Sequence, residues 1–141
     1  MVPTSHDLDR FLDAQQGIYA DAIAELRRGR KTSHWMWFVF PQIAGLGSSP
    51  TSRHFAIASL DEARGFLAHP VLGARLRECV GAVLATHGRT AEAIFGSIDA
   101  RKLRSSMTLF HRAAPEEALF AQVLERHFGG IPDEVTDRLL A

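Results

Sequence analysis

The stretch RKTSHWMWFVFPQ, residues 30–42, decides how the rest of the chain is interpreted. It holds both tryptophans of the protein, Trp35 and Trp37, and the basic pair Arg30 and Lys31 stands at its start. Large apolar residues are usually buried, which favours a place in the hydrophobic core. A cationic edge leading into an aromatic block would also hold a planar, anionic metabolite such as a nucleotide. Both interpretations remain open from the sequence.

Length and composition are those of a single soluble globular domain. The chain has 141 residues, of which 46% are apolar and 23% are charged. This balance argues against disorder. Sixteen basic and sixteen acidic residues give a net charge of zero, so no global field attracts nucleic acid or an anionic membrane. Nucleic-acid binding through Arg27, Arg28, Arg30 and Lys31 is therefore disfavoured.

Cysteine content and the amino-terminal sequence favour a cytoplasmic protein. The single cysteine, Cys79, excludes an internal disulfide and a zinc site built on cysteines. Its helical neighbours Leu76, Val80 and Val83 predict a buried, structural thiol. The first ten residues, MVPTSHDLDR, contain no apolar signal core, and no stretch approaches the length of a membrane span.

Apolar residues recur mainly at helical spacing along the chain. Residues 8–26 repeat at three- and four-residue steps and predict one helix of about five turns, closed by Gly29. Ser59 and Glu62 have the spacing of a capping box, which predicts a helix over residues 60–68. Further helices are predicted after Pro70, from Thr90 to Gly96, from Asp99, from Pro115 to Gly129 and after Asp133.

Two segments do not follow this pattern. The apolar run 35–40 is too short for its period to separate a buried strand from a buried helix. The segment IAGLGSSP, residues 43–50, is rich in glycine and serine and predicts a loop. The fold predicted from these patterns is one compact all-α domain over residues 1–141. It should contain six to eight helices and a central Gly/Ser-rich loop.

Three long segments of the chain have an unusual pattern. They read DAQQGIYADAIAELRRGRKTSHWMWFVFPQIAGLGSSP, SLDEARGFLAHPVLGARLREC and IFGSIDARKLRSSMTLF. In these segments the chain resembles the DUF1810 family of small bacterial proteins, and the resemblance extends from about Leu8 to Leu140. It implies a compact, mostly α-helical fold of one domain, and it favours a buried helix starting near Ser33. It implies no particular activity.

Side chains suited to a phosphate-bearing ligand occur in three separate segments. These are the 30–42 stretch, the glycine loop at 45–49 with the residues after it, and KLRSS at 102–106. Basic side chains neutralise an anion, hydroxyls and backbone N–H groups donate to phosphate oxygens, and a tryptophan face stacks on a ring. The candidate ligand-binding residues are Lys31, His34, Trp35, Trp37, Gln42, Arg53, Lys102, Ser105 and Ser106.

Each of these segments also has an explanation that requires no ligand. The loop GLGSS lacks the lysine of a P-loop and follows no predicted strand, so neither a P-loop nor a dinucleotide fingerprint is predicted. Turn formation alone accounts for its glycines. Ser105 and Ser106 lie at mid-helix positions, where serine hydroxyls often bond to carbonyls of their own helix.

Residues suited to acid–base catalysis are few. His34 and His54 lie closest in sequence to the candidate region, and Asp99 is the nearest acid to KLRSS. These three are the candidate catalytic residues, although Asp99 is also a candidate helix cap and His34 a candidate histidine of the core or its edge. No metal-binding spacing and no serine-nucleophile elbow occur in the sequence, so no metal and no cofactor are predicted. The scarcity of uncommitted acids favours binding over catalysis.

The leading hypothesis is a site for a small anionic nucleotide or NAD-derived metabolite. Its phosphates are expected to face Lys31, Arg53 and Lys102, with its ring stacked on Trp35 or Trp37. If the ligand is processed, the expected reaction is cleavage of an N-glycosidic or phosphoester bond. The alternative is a protein-interaction module or homo-oligomer, in which the aromatic block is only core. An exposed apolar helix face within residues 120–128 would then dock a partner.

Overall fold

The computed structural model describes residues 7–141, and this part of the chain contains ten α-helices. No strand occurs within residues 7–141, where one isolated β-bridge joins Ile43 to Ile57. Residues 1–6 of the amino-terminal sequence lie outside the described part. The helices are α1 (Asp9–Gln15), α2 (Tyr19–Arg27), α3 (Met36–Val39), α4 (Pro50–His54), α5 (Leu60–Ala68), α6 (Leu72–Ala85), α7 (Ala91–Phe95), α8 (Ser97–Ala113), α9 (Ala118–Phe128) and α10 (Glu134–Leu140).

The count of ten helices corrects the expectation of six to eight. The single helix predicted over residues 8–26 is divided into α1 and α2, because Gly17 adopts a φ of 76° that no right-handed helix contains. A further short helix, α4, begins at Pro50 directly after the glycine-rich segment. Its N-cap is Ser49, whose side chain accepts a hydrogen bond from the Ser52 N–H at 3.1 Å.

Three predicted helix starts have the polar caps that the sequence indicates. Ser59, Thr90 and Asp133 each accept a hydrogen bond from the backbone N–H three residues later, at 2.9–3.1 Å. The cap predicted at Asp99 is wrong, since α8 begins two residues earlier, directly after Gly96. Asp99 lies in the first turn of α8, where its carboxylate is free to pair with other segments.

The core is built around α8, which packs against α5, α7, α9 and α10. Phenylalanine rings from three helices meet there: Phe66 of α5 and Phe120 of α9 lie 5.5 and 5.8 Å from Phe110 of α8. The apolar face of α9 is therefore part of this core. This corrects the expectation that the face within residues 120–128 is exposed to dock a partner.

The aromatic block belongs to the same core, where Trp35 and Phe40 pack against Phe95 of α7. Trp35, Phe38 and Phe40 are buried. The helix among them, α3, begins at Met36 and not near Ser33 as expected, and it has only four residues. The block is therefore core, except for Trp37, which is half-buried. None of the helices within residues 7–141 is long and apolar enough to cross a membrane.

Candidate functional site

A closed loop follows the aromatic block. The Ala44 N–H donates to the Ile57 carbonyl, and the Ile57 N–H donates to the Gln42 carbonyl, both at 2.8 Å. These two hydrogen bonds pin the ends of the segment together, so residues 44–56, including α4, form one loop. We call this segment the pinned loop.

Arg10 of α1 holds the returning end of the pinned loop. Its guanidinium donates to the carbonyls of His54 and Ala56, at 2.8 and 2.9 Å. The same group pairs with Glu62 of α5 at 3.2 Å and lies over the ring of Phe11. One side chain therefore ties the loop to two helices, and the sequence analysis did not single it out.

Two glycines allow the pinned loop its shape. Gly45 has a φ of 105°, a region that favours glycine, and a Cβ there would lie 3.2 Å from Leu139 of α10. Gly47 has an ordinary φ, but a Cβ there would lie 2.5 Å from the Cβ of Ser52. Backbone conformation therefore requires the first glycine, and close approach to α4 requires the second.

The pinned loop encloses a cleft of about 210 Å³ against the end of the aromatic block. Three predicted ligand-binding residues from separate positions line it: Trp37, Gln42 and Arg53. Ser52 adds a hydroxyl to the lining, and Phe55 adds an aromatic ring. The guanidinium of Arg53 is exposed, and no residue within 7–141 pairs with it. The cleft thus combines a partly exposed indole with an unpaired cation.

A second group of predicted residues meets beside the cleft. The Lys31 ammonium lies 2.9 Å from one carboxylate oxygen of Asp99, and the Lys102 ammonium lies 3.6 Å from the other. The Lys31 side chain is almost fully buried, and its ammonium also donates to the Ser33 carbonyl at 2.6 Å. The two lysines therefore converge on one aspartate, and Lys31 forms an internal ion pair.

Trp37 connects this ion cluster with the cleft. The Lys102 ammonium lies over the indole ring of Trp37, 4.7 Å from the ring centroid, and the same indole lines the cleft. Such a cation over an indole face is attracted by the negative charge of the ring face. Lys102 therefore contacts the same indole that lines the cleft. Lys31 instead lies over the other tryptophan, Trp35.

Trp35 has a structural role. It is fully buried, and its indole N–H donates to Glu25 at 2.9 Å. The Glu25 carboxylate also accepts from the N–H groups of Thr32 and Ser33, at 2.7 and 3.0 Å, and from the Ser33 hydroxyl at 2.5 Å. Burial alone would raise the pKa of Glu25, but these hydrogen bonds outweigh it and lower the pKa to about 2. Since its ring is enclosed, Trp35 offers no surface to a stacked ligand.

The three candidate catalytic residues do not meet at the cleft. His34 and His54 are both exposed, and neither lines the cleft. The exposure of His34 excludes a place in the core and fits the alternative of a histidine at the edge of the core. The His54 ring packs against Phe55, with the ring centroids 4.6 Å apart. Asp99 is held by two lysines.

The two candidate serines lie inside α8. The Ser105 hydroxyl donates to the Arg101 carbonyl of its own helix at 3.2 Å, as its alternative explanation predicts. The Ser106 hydroxyl is fully buried and has no hydrogen-bond partner within residues 7–141. Neither serine lines the cleft.

A family model described as "Protein of unknown function (DUF1810)" matches residues 5–140 of the chain. The chain belongs to the DUF1810 family. It is also similar to a solved structure, the crystal structure of the conserved hypothetical protein Rv1873 from Mycobacterium tuberculosis. The two chains share 51% sequence identity with a TM-score of 0.94, and the match covers 95% of this chain and 96% of the other. No curated protein matches the chain.

In this DUF1810 chain Glu25 is, after Arg10, a second polar residue whose role was not predicted from the sequence. A signal for it is present, because Glu25 lies on the buried face of α2 beside Ala22 and Leu26. A carboxylate on an apolar helix face needs several donors to be stable there. The donors are supplied by the 30–42 stretch itself, which shows that this stretch is anchored through hydrogen bonds as well as through aromatic packing.

Proposed function

We propose that this DUF1810 protein binds a small metabolite that carries a phosphate group and a planar ring. The site is the cleft under the pinned loop. The observation that carries the proposal is the unpaired guanidinium of Arg53 beside the partly exposed indole of Trp37. A guanidinium binds phosphate through two parallel hydrogen bonds, and an indole stacks on a base or a similar ring.

The remaining lining of the cleft suits the same ligand. Gln42 and Ser52 provide an amide and a hydroxyl that can bond to a ring edge or a sugar. Gly45 and Gly47 also line the cleft, and they add no side chain to it. The volume of about 210 Å³ lies below the roughly 300–1,000 Å³ of complete small-molecule pockets, so the cleft takes the ring or the phosphate and the rest of the ligand lies across its mouth.

Binding without catalysis fits the lining best. None of the described residues that line the cleft carries a carboxylate or an imidazole, the groups that most often transfer protons in enzymes. The predicted cleavage of an N-glycosidic or phosphoester bond therefore has no acid or base in place at this site. The cytoplasmic location predicted from the sequence is part of the same proposal.

The test is a thermal-shift and calorimetric titration with AMP, ADP-ribose and inorganic phosphate. A ligand at a hundred times its Kd raises the midpoint by roughly 5–11 °C in a domain of this size. We expect this shift for a ring-bearing phosphate in the wild type, and at least about tenfold weaker binding in Arg53→Ala, which loses a bidentate contact.

Arg28→Ala is the matched control. Arg28 is also an exposed arginine, but it lines a different groove beside α6. It should bind like the wild type. A flat response to all three compounds, or an equal loss in both arginine variants, would contradict the proposal.

One specific observation supports the interaction-module hypothesis. Three large apolar side chains are exposed: Ile131 by 60%, and Val135 and Leu139, one turn apart on α10, by 42% and 44%. Such a strip fits a second copy of this chain. A dimeric mass in solution that Val135→Lys converts to a monomeric one would favour this second candidate, and a monomeric wild type would remove it.

A further inference from the structure

One face of the Trp37 ring is already covered by a positive charge. The Lys102 ammonium lies 4.7 Å from the ring centroid, and the Lys102 side chain is 24% exposed. A ligand in the cleft can therefore contact only the opposite face and the edge of the ring. The indole ring of Trp37 then lies between the stacked ligand ring and the Lys102 ammonium.

The charge over the ring is not fully neutralised by nearby acids. Within residues 7–141, the carboxylate that pairs with Lys102 is that of Asp99, at 3.6 Å. Asp99 lies closer to Lys31, at 2.9 Å, and Lys31 is the more buried of the two lysines. Two ammonium groups share one carboxylate, so the cluster keeps an excess of one positive charge, and Lys102 carries it next to Trp37.

This excess charge acts on a stacked ring. Stacked rings lie about 3.5 Å apart, so a ring on the free face of Trp37 would lie about 8 Å from the Lys102 ammonium. With an effective dielectric between that of a protein surface and that of water, two like charges at this distance repel by an amount on the order of a five- to tenfold change in affinity. Arg53 at the cleft adds repulsion of the same sign.

We propose that Lys102 is a specificity-determining residue of the cleft. It favours phosphorylated ligands whose ring is neutral or anionic, such as purine nucleotides, and it disfavours those whose ring is cationic, such as oxidised nicotinamide. The inference rests on the proposed function of the cleft. It also narrows the predicted class of NAD-derived metabolites to those without the charged nicotinamide ring.

The sharpest test compares nicotinamide mononucleotide with its reduced form. The two compounds share the ribose and the phosphate, and they differ in the charge of the ring. Calorimetry at low salt should give a preference for the reduced form, taken as the ratio of the two affinities, that is about fivefold larger in the wild type than in Lys102→Met. The attraction of the indole face for a cationic ring is the same in both proteins and does not change this comparison. Lys102→Arg, which keeps the charge, should preserve the wild-type preference.

Arg101→Ala serves as the control. Arg101 is the exposed neighbour of Lys102 on α8, and no residue within 7–141 pairs with its guanidinium. Its removal subtracts the same charge from the protein and should leave the preference unchanged. A second measurement needs no variant: the wild-type preference should shrink as the salt concentration rises from 20 to about 300 mM, because salt screens partly exposed charges.

The outcomes separate this inference from the function on which it rests. The same preference in the wild type and in Lys102→Met overturns the role of Lys102 and leaves the cleft as a phosphate-and-ring site. A preference that falls in Lys102→Arg as far as in Lys102→Met also overturns it. Binding of neither form, together with no binding of AMP, overturns the proposed function and the inference with it.

Discussion

Trp35 and Trp37 stand two residues apart, yet their surroundings are opposite. Trp35 is fully buried and donates to Glu25, whose carboxylate is satisfied by four hydrogen bonds. Trp37 is half-buried, lines a cleft and lies beside Arg53, which has no partner within residues 7–141. We call the first region, Glu25 with Ser33 and Trp35, the inner network, and we compare it with the cleft.

The comparison shows what separates a structural polar group from one suited to a ligand. A buried carboxylate with all its hydrogen bonds made stabilises the fold, and it would be costly to disturb. An exposed cation without a partner contributes little to the fold and is free to bind an anion. The amino-acid type does not separate the two roles, since both regions use a tryptophan beside a charged group.

The largest effect is expected from the inner network. Glu25→Gln replaces a carboxylate that accepts four hydrogen bonds with an amide that has one acceptor oxygen and presents N–H groups to other donors. We expect a loss of about 3 kcal/mol in the free energy of unfolding, measured by urea denaturation.

Glu134→Gln is the matched control for that substitution. Glu134 forms an exposed ion pair with Arg138, so its loss should change stability by less than about 0.5 kcal/mol. A loss in Glu25→Gln below about 1 kcal/mol would mean that the inner network is not what anchors the aromatic block.

A second prediction concerns acid stability. The pKa of Glu25 is lowered from 4.5 to about 2 in the folded protein, so this group stabilises the fold fully above pH 4.5. That contribution, up to about 3 kcal/mol, is lost as the pH falls from 4.5 towards 2. Asp137 acts in the same direction, because its hydrogen bond with Arg112 lowers its pKa.

The measurement is the free energy of unfolding between pH 7 and pH 2 in the wild type and in Glu25→Gln. The wild-type curve should fall more steeply below pH 4.5, and the two curves should approach each other near pH 2. Parallel curves would show that Glu25 titrates alike in the folded and unfolded chains.

The smallest effect on stability is expected at the cleft. Trp37→Phe keeps an aromatic ring at a half-buried position and should lower stability by less than about 1 kcal/mol. Trp35→Phe removes a buried donor and should lower stability by about 2–3 kcal/mol.

Tryptophan fluorescence tests the same contrast through ligand binding. AMP should quench the wild-type emission and leave that of Trp37→Phe unchanged, because only Trp35 then emits. Quenching that persists in Trp37→Phe would place the ligand elsewhere.

Much of the local structure follows from short-range patterns in the sequence. The caps at Ser59, Thr90 and Asp133 were predicted correctly, because a cap bonds to a backbone group three residues away. The division of the first helix at Gly17 was missed, since a helix tolerates a single glycine within its period and the sequence does not distinguish that case from a break. The four-residue length of α3 was missed because a short apolar run has no measurable period.

The candidate site was predicted only in part, for a different reason. Trp37, Gln42 and Arg53 were selected by residue type and do line one cleft. The pairing of Lys31 and Lys102 through Asp99 joins residues about seventy positions apart in the chain, and Arg10 reaches the pinned loop across more than forty. No pattern in the sequence reports contacts over such separations.

By itself, the sequence determined the all-helical class, the family and most of the helix caps. The family follows from the three long segments that carry the resemblance, whereas the helical class and the caps follow from the 3.6-residue period and from hydrogen bonds that span three or four residues. Only the tertiary structure decided which tryptophan is enclosed, which lysine is buried in an ion pair and which unpaired arginine lines the cleft. Those outcomes depend on where α1, α2 and α8 bring their side chains after packing, because burial and pairing are properties of neighbours in space.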